Sequence, residues 1–281
     1  MNNTFISVDA DVARALQEDI GDEGDVTAAL LPDNLKVEAE IISREPMIVC
    51  GQPWVNEVFK RIDEHIQLKW RVSETDWLDA PTTLCTVYGL ARSILTAERT
   101  ALNFLQTLSA TATQTHFYVQ KLHGTQTRLL DTRKTLPGLR AAQKYAVTCG
   151  GGFNHRMGLY DAFLIKENHI KACGSVAQAI TLARQTHKDI LVEIEVETLD
   201  ELREAILAQP DRIMLDNFSQ DMIEKAIEMN QPKHSSLEVS GGITLENIGE
   251  IAQLGVDFIS VGAITKSIQA IDLSLLIRNI L

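Results

Sequence analysis

The chain has 281 residues, enough for about two average domains or one domain with a barrel-sized core. Apolar residues make up 45% and charged residues 23%, a globular balance that excludes a disordered or collagen-like chain. Thirty-eight Asp and Glu against 26 Lys and Arg give a net charge of −12, which argues against nucleic acid as a partner.

Val8, Val12 and Leu16 fall on one face and predict a first helix from Ser7, with Gly21 as its stop. Alternation of Val37, Ala39 and Ile41 with Glu38 and Glu40 predicts a half-buried strand over Val37–Ser43. Short strands are expected at 47–50, 66–72 and 84–88, with a helix at 55–62 between the first two. A long helix is predicted over about 90–108, because Leu90, Ile94, Ala97, Ala101, Leu105 and Leu108 form one apolar stripe. Arg99 lies opposite that stripe, so it is either a solvated surface residue or one that reaches into another chain's site.

From Thr127 the rhythm changes. Apolar runs at 128–130, 162–165, 190–196, 212–215, 237–239 and 257–261 alternate with helical patterns at 175–184, 199–207, 219–229 and 244–254. Strands separated by helices of this length are βα units and predict a parallel sheet. Asp131, Lys166, Glu195, Asp216, Ser240 and Gly262 stand at the strand ends, and a barrel would bring them to one mouth. The apolar tail, 264–281, is expected to pack as a helix.

Several function classes are excluded by what is missing. No stretch approaches about 18 uninterrupted apolar residues, so no membrane span is expected. Met1–Phe5 lacks the basic-then-apolar layout of a signal peptide. Cys50, Cys85, Cys149 and Cys173 match no zinc spacing and predict reduced thiols in a cytoplasmic protein. Residues 128–171 carry eight Lys and Arg against three acids, a +5 island in a chain whose remainder is −17. Such an island suits a small, multiply charged anion.

Within the island, Arg133 and Lys134 are adjacent cations at a turn, able to address two different anions: a carboxylate through the guanidinium fork, a phosphate through the ammonium. Gly150-Gly151-Gly152 precedes His155 and Arg156 and predicts a sharp bend or close approach of a ligand. Lys166 could form a Schiff base or offer charge to a carboxylate. Glu195 and Asp216, from neighbouring strand ends, could serve a Mg²⁺–phosphate substrate or pair with the cations. Ser240-Gly241-Gly242 and Gly262 follow strands and precede helices, where backbone N–H groups cradle phosphate.

The runs Ala97–Asn103, Asp131–Arg140, Lys144–Val147, Gly150–Arg156 and Leu164–His169 resemble the quinolinate phosphoribosyltransferases, and the resemblance extends over nearly the whole chain. It implies an incomplete α/β barrel of six to seven parallel strands over 111–265. An N-terminal α+β open-faced sandwich over 1–110 would be joined by the returning segment 266–281. It implies transfer of phosphoribosyl from phosphoribosyl pyrophosphate to quinolinate, with decarboxylation to nicotinate mononucleotide, in NAD biosynthesis. Arg133, His155, Arg156, Lys166 and the partner subunit's Arg99 would surround quinolinate in a homodimer or larger assembly. Lys134, Glu195 and Asp216 would attend the Mg²⁺-bound donor, the two carboxylates holding the metal directly or through water and substrate. Ser240, Gly241, Gly242, Gly262 and Lys266 would line its phosphate side. Lys166, Glu195 and Asp216 would be the catalytic set, with no organic cofactor. Competing readings are a sister enzyme using another base, a Schiff-base lyase built on Lys166, and a phosphate-sensing protein.

Overall fold

The protein is described by a computed structural model covering residues 7–281, so Met1–Phe5 lie outside the described residues. The elements run α1 (Val8–Ile20), β1 (Lys36–Ser43), β2 (Met47–Ile48), α2 (Gln52–Ile62), β3 (Gln67–Trp70), β4 (Trp77–Leu78), β5 (Thr82–Leu90), α3 (Ala91–Gln120), β6 (Arg128–Leu130) and α4 (Arg140–Cys149). They continue with β7 (Phe163–Ile165), α5 (Glu167–Cys173), α6 (Val176–Thr186), β8 (Val192–Val196), α7 (Leu199–Ala208), β9 (Arg212–Asp216), α8 (Gln220–Met229), β10 (Ser236–Ser240), α9 (Ile248–Gln253), β11 (Phe258–Ser260), α10 (Ala263–Lys266) and β12 (Leu273–Ile280).

The chain forms two compact units. The first takes residues up to His116 together with 135–151 and 264–281; the second takes 117–134 and 152–263. The sheet of the first unit is antiparallel, in the order β12-β1-β5-β3. Val37, Ala39 and Ile41 are fully buried on one face of β1 and share a core with Trp54, Phe59, Ile94, Leu105 and Leu108 of α2 and α3. Arg99 is exposed on α3, as the helical stripe requires.

The tail departs from the predicted helix. It forms β12, antiparallel to β1 from Val37 opposite Ile280 to Ser43 opposite Leu273. The signal that matters is alternation: Leu273 and Leu275 are buried while Ser274 and Leu276 are not. The three- and four-residue spacing of Ile268, Ile271 and Leu275 fits a helix equally well, and β1's open edge decides between the two.

The triple glycine makes the expected sharp bend, with Gly151 at φ +89°, and Gly150 adds a second reason. A Cβ on Gly150 would stand 2.3 Å from the carbonyl oxygen of Ala112 and 2.7 Å from Cβ of Thr115. Gly150 therefore lets the end of α4 touch α3. The 135–151 stretch packs in the first unit for the same reason, with Tyr145 tilted against Trp54 at 5.5 Å between ring centroids.

In the second unit six parallel strands run in the order β6-β11-β10-β9-β8-β7. A parallel bridge from Phe153 to Leu130 adds a one-residue seventh lane beyond β6. That lane and β7 form the two ends of an unclosed barrel. Ser175, Thr198 and Ser219 cap α6, α7 and α8 by accepting from the N–H groups of Gln178, Glu201 and Met222. Among the described residues, no helix is long and apolar enough to cross a membrane.

Candidate active site

Side chains alternate across a strand, so Glu193 and Glu195 of β8 share a face, as do Arg212, Met214 and Asp216 of β9 and Glu238 and Ser240 of β10. The parallel register sets Glu195 beside Met214 and Asp216 beside Ser240. Their C-terminal ends form the floor of a cavity of about 260 Å³. The loop after β6 adds Thr132, Arg133 and Lys134, and β7 adds Leu164 and Lys166. His155 and Arg156 arrive by way of the Phe153 bridge. The fully buried Asp131 fixes that loop, its Oδ1 accepting from the backbone N–H of His155 at 2.9 Å and its Oδ2 from the Asn154 amide.

Four permanent cations line this cavity, Arg133, Lys134, Arg156 and Lys166, against two carboxylates, Glu195 and Asp216. Lys166 Nζ is ion-paired with Glu195 Oε2, an arrangement suited to a charge partner and poorly suited to a Schiff-base nucleophile. Nε of Arg133 is buried and has no hydrogen-bond partner among the described residues. Burial, then the Arg133 charge, pulls the Arg156 guanidinium below its ordinary pKa. Two guanidiniums that repel each other, one with an unused buried donor, call for an anion between them. Burial, then the Glu195 charge, pushes the Asp216 carboxyl up against the opposing pull of Lys166 and Lys134. One layer deeper, burial pushes both Glu193 and Glu238 up to about 7.

Eight of the thirteen residues expected at the site thus meet around one cavity: Arg133, Lys134, His155, Arg156, Lys166, Glu195, Asp216 and Ser240. Gly241 and Gly242 border an adjoining groove with Asn217, and Gly241 has φ +90° with no room for a Cβ beside Asn217 Oδ1. Gly262 lies against the Lys134 stem, where a Cβ would come within 2.9 Å of Cδ. Arg99 and Lys266 belong to the first unit and are both exposed.

Thr132, Leu164, Met214 and Ser260 also line the cavity. Strand parity, counted two residues along from Leu130, Lys166, Asp216 and Phe258, is the signal that finds them. Carboxylate oxygens of Glu195, Glu197 and Asp216 lie within 4.8 Å of one another, a set of hard oxygen donors that fits Mg²⁺ and adds Glu197 to the expected pair.

In the first unit, Cys50, Cys149 and Glu74 also come within 4.8 Å, a cluster that a spacing of 99 residues between the cysteines conceals. Glu74 is already committed there, accepting from the N–H groups of Gly51 and Gln52 and from the Tyr145 hydroxyl, and so anchors the start of α2. All four cysteines are free thiols.

Comparison with known proteins agrees with this geometry. The family models for the N-terminal and C-terminal domains of quinolinate phosphoribosyl transferase match residues 25–109 and 111–276. A probable nicotinate-nucleotide pyrophosphorylase (carboxylating) of Bacillus subtilis (strain 168) is 41% identical over 92% of this chain and 89% of its own length. The nicotinate-nucleotide pyrophosphorylase (carboxylating) of Mycobacterium leprae is 40% identical over 94% of this chain and 95% of its own. The solved nicotinate-nucleotide pyrophosphorylase of Francisella tularensis superposes with a TM-score of 0.93 at 51% identity, covering 96% of each chain. Human nicotinic acid phosphoribosyltransferase, 13% identical with a TM-score of 0.66, shares the fold alone. The chain belongs to the quinolinate phosphoribosyltransferase family.

Proposed function

We propose that the cavity at the strand ends of the second unit is where this chain transfers phosphoribosyl from phosphoribosyl pyrophosphate to quinolinate. The products are nicotinate mononucleotide, pyrophosphate and CO₂. The observation that carries this reading is the Arg133–Arg156 pair, two half-buried guanidiniums that repel each other, with one buried Nε lacking a partner among the described residues. Quinolinate carries two adjacent carboxylates, and a guanidinium fork meets each bidentately. Nicotinate, with one carboxylate, would leave one of these cations without its anion.

Arg133, His155, Arg156 and Lys166 hold quinolinate, with Arg99 of a partner subunit completing the clamp in a homodimer or larger assembly. Lys134, Glu195 and Asp216 attend the donor, and Ser240, Gly241, Gly242, Gly262 and Lys266 take its phosphate side. The carboxylates of Glu195, Glu197 and Asp216 would hold Mg²⁺, which supplies charge neutralisation for the pyrophosphate. The cysteine usage, four thiols with none bridged, supports a cytoplasmic setting.

Pyrophosphate departs from C1 of the ribose with the bonding pair, and the positive charge left on C1 is stabilised by the nearby carboxylates. The pyridine nitrogen, held by its carboxylates against C1, donates its lone pair and becomes a ring cation. The C2–carboxylate bond then breaks, its pair staying on C2 beside the cationic nitrogen, and CO₂ leaves. A proton taken up at C2 completes nicotinate mononucleotide, with the Lys166 ammonium a candidate donor.

The test is an assay with phosphoribosyl pyrophosphate, Mg²⁺ and either quinolinate or nicotinate, following pyrophosphate, CO₂ and mononucleotide. Equimolar CO₂ and nicotinate mononucleotide from quinolinate alone is the expected result; turnover of nicotinate at a comparable rate would overturn the reading. Removal of Mg²⁺ by a chelator should abolish turnover, and full activity without metal would take Glu195 and Asp216 out of that role.

A further inference from the structure

Directly under the cavity floor lies a charged layer that the reaction above does not use. Glu193, Arg212 and Glu238 point inward from β8, β9 and β10. Glu193 is two residues before Glu195 and Glu238 is two before Ser240, so each stands on the cavity side one step deeper. Both carboxylates are fully buried. Arg212 Nη1 lies 2.9 Å from Glu238 Oε2 and 3.9 Å from Glu193 Oε2, and its guanidinium sits 4.0 Å over the Phe258 ring. Two buried carboxylates around one guanidinium are costly compared with an apolar core of the same volume. Packing alone does not account for them.

His155 reaches into this layer while also lining the cavity. Its Nε2 is 2.9 Å from Glu193 Oε2 and 3.6 Å from Glu238 Oε2. On the other side of the ring, Nδ1 accepts the backbone N–H of Arg156 at 2.7 Å. An Nδ1 that accepts leaves the proton on Nε2, facing the carboxylates. The ligand atoms of His155, Glu193 and Glu238 lie within 4.8 Å of one another, a spacing that could admit a metal ion, but the Arg212 guanidinium already stands there as the cation.

We propose that Glu193 and Glu238, bridged by Arg212, are positioning residues for the quinolinate half of the site: they fix the ring and tautomer of His155 and, through Nδ1, the backbone of Arg156. This rests on the assignment of the cavity to quinolinate. The layer's carboxylates face His155, on the quinolinate side of the cavity, so the effect is expected on that substrate. Supporting carboxylates behind a functional histidine set its tautomer and orientation in the same way at metal centres, where their loss costs about 10- to 100-fold.

The test compares Glu193→Gln and Glu238→Gln with the natural protein, reading KM for quinolinate and for phosphoribosyl pyrophosphate separately. The expected result is a rise of about 10-fold or more in quinolinate KM for Glu193→Gln, a smaller rise for Glu238→Gln, and a donor KM within about two-fold. Equal rises in both constants would mark a merely structural role and overturn the proposal. ¹⁵N NMR of the ligand-free natural protein, with labelled histidine, gives a readout that needs no variant and no substrate. His155 should show protonated Nε2 and unprotonated Nδ1, and the opposite tautomer overturns the proposal even if a variant fails to fold. Absence of quinolinate turnover in the natural protein would fail the cavity assignment instead, leaving the tautomer to decide the layer.

Discussion

Replacing Arg133 separates binding from stability by opposite signs. In the free protein Arg133 is a liability, since its charge depresses the Arg156 guanidinium and its buried Nε finds no partner. With quinolinate bound, the same atoms become donors to a carboxylate. A charge-assisted hydrogen bond contributes about 1.5–3 kcal/mol, so Arg133→Ala should raise quinolinate KM by about 10- to 150-fold. Arg133→Lys keeps the charge but loses the planar fork, and should fall between the two. Thermal unfolding without ligand should show an unchanged or higher Tm for Arg133→Ala, because an unsatisfied donor and a like-charge contact disappear together. The assay is initial-rate kinetics at saturating phosphoribosyl pyrophosphate, paired with calorimetry on the same preparations. A quinolinate KM within two-fold of the natural protein, or a Tm lowered by several degrees, would refute the reasoning.

Other residues give sharper, shorter tests. Asp216→Asn should abolish turnover while raising Tm near neutral pH, because burial and Glu195 make the ionised carboxyl costly. A carboxyl whose folded pKa is raised destabilises the fold above its titration. The gain should therefore fade as pH falls through that range, and a gain independent of pH would contradict it. Gly150→Ala, which puts Cβ 2.3 Å from the Ala112 carbonyl oxygen, should cost about 1–3 kcal/mol and lower Tm by several degrees; an unchanged Tm would be the contrary result. Arg99→Ala and Lys166→Ala should each be inactive alone, and mixing them with subunit exchange should restore roughly a quarter of the sites in a shared-site dimer. No recovery after proven exchange would remove Arg99 from the partner's site.

The parallel sheet was legible because each of its strands is a short, mostly apolar run closed by a polar residue, and α6, α7 and α8 between them open on Ser or Thr. The seventh lane was not, since Phe153 contributes a single bridged residue with no periodicity to detect. The tail misled for a related reason. Eight residues of β12 satisfy helical and strand spacing alike, and only the unpaired edge of β1, a partner more than 200 positions away, separates the two.

For the site, residue type and strand-end position identified the charges but not their allegiances. Arg133, Lys134, Arg156 and Lys166 were visible as a basic island in an acidic chain, and a multiply charged anion follows from that alone. Which carboxylate faces which cation depends on strand parity across the sheet. Glu193 and Glu195 look equivalent in sequence, yet one meets His155 and Arg212 in a buried layer and the other meets Lys166 at the mouth. The triple glycine shows the same limit. In sequence it reads as a sharp bend or a ligand loop; Gly151 makes the bend at φ +89°, while Gly150 presses α4 onto α3, a contact that no spacing reveals. Chemistry-bearing side chains announce themselves by type, but the division between those that touch substrate and those that hold them in place is a property of the layers, and becomes readable only once the register is known.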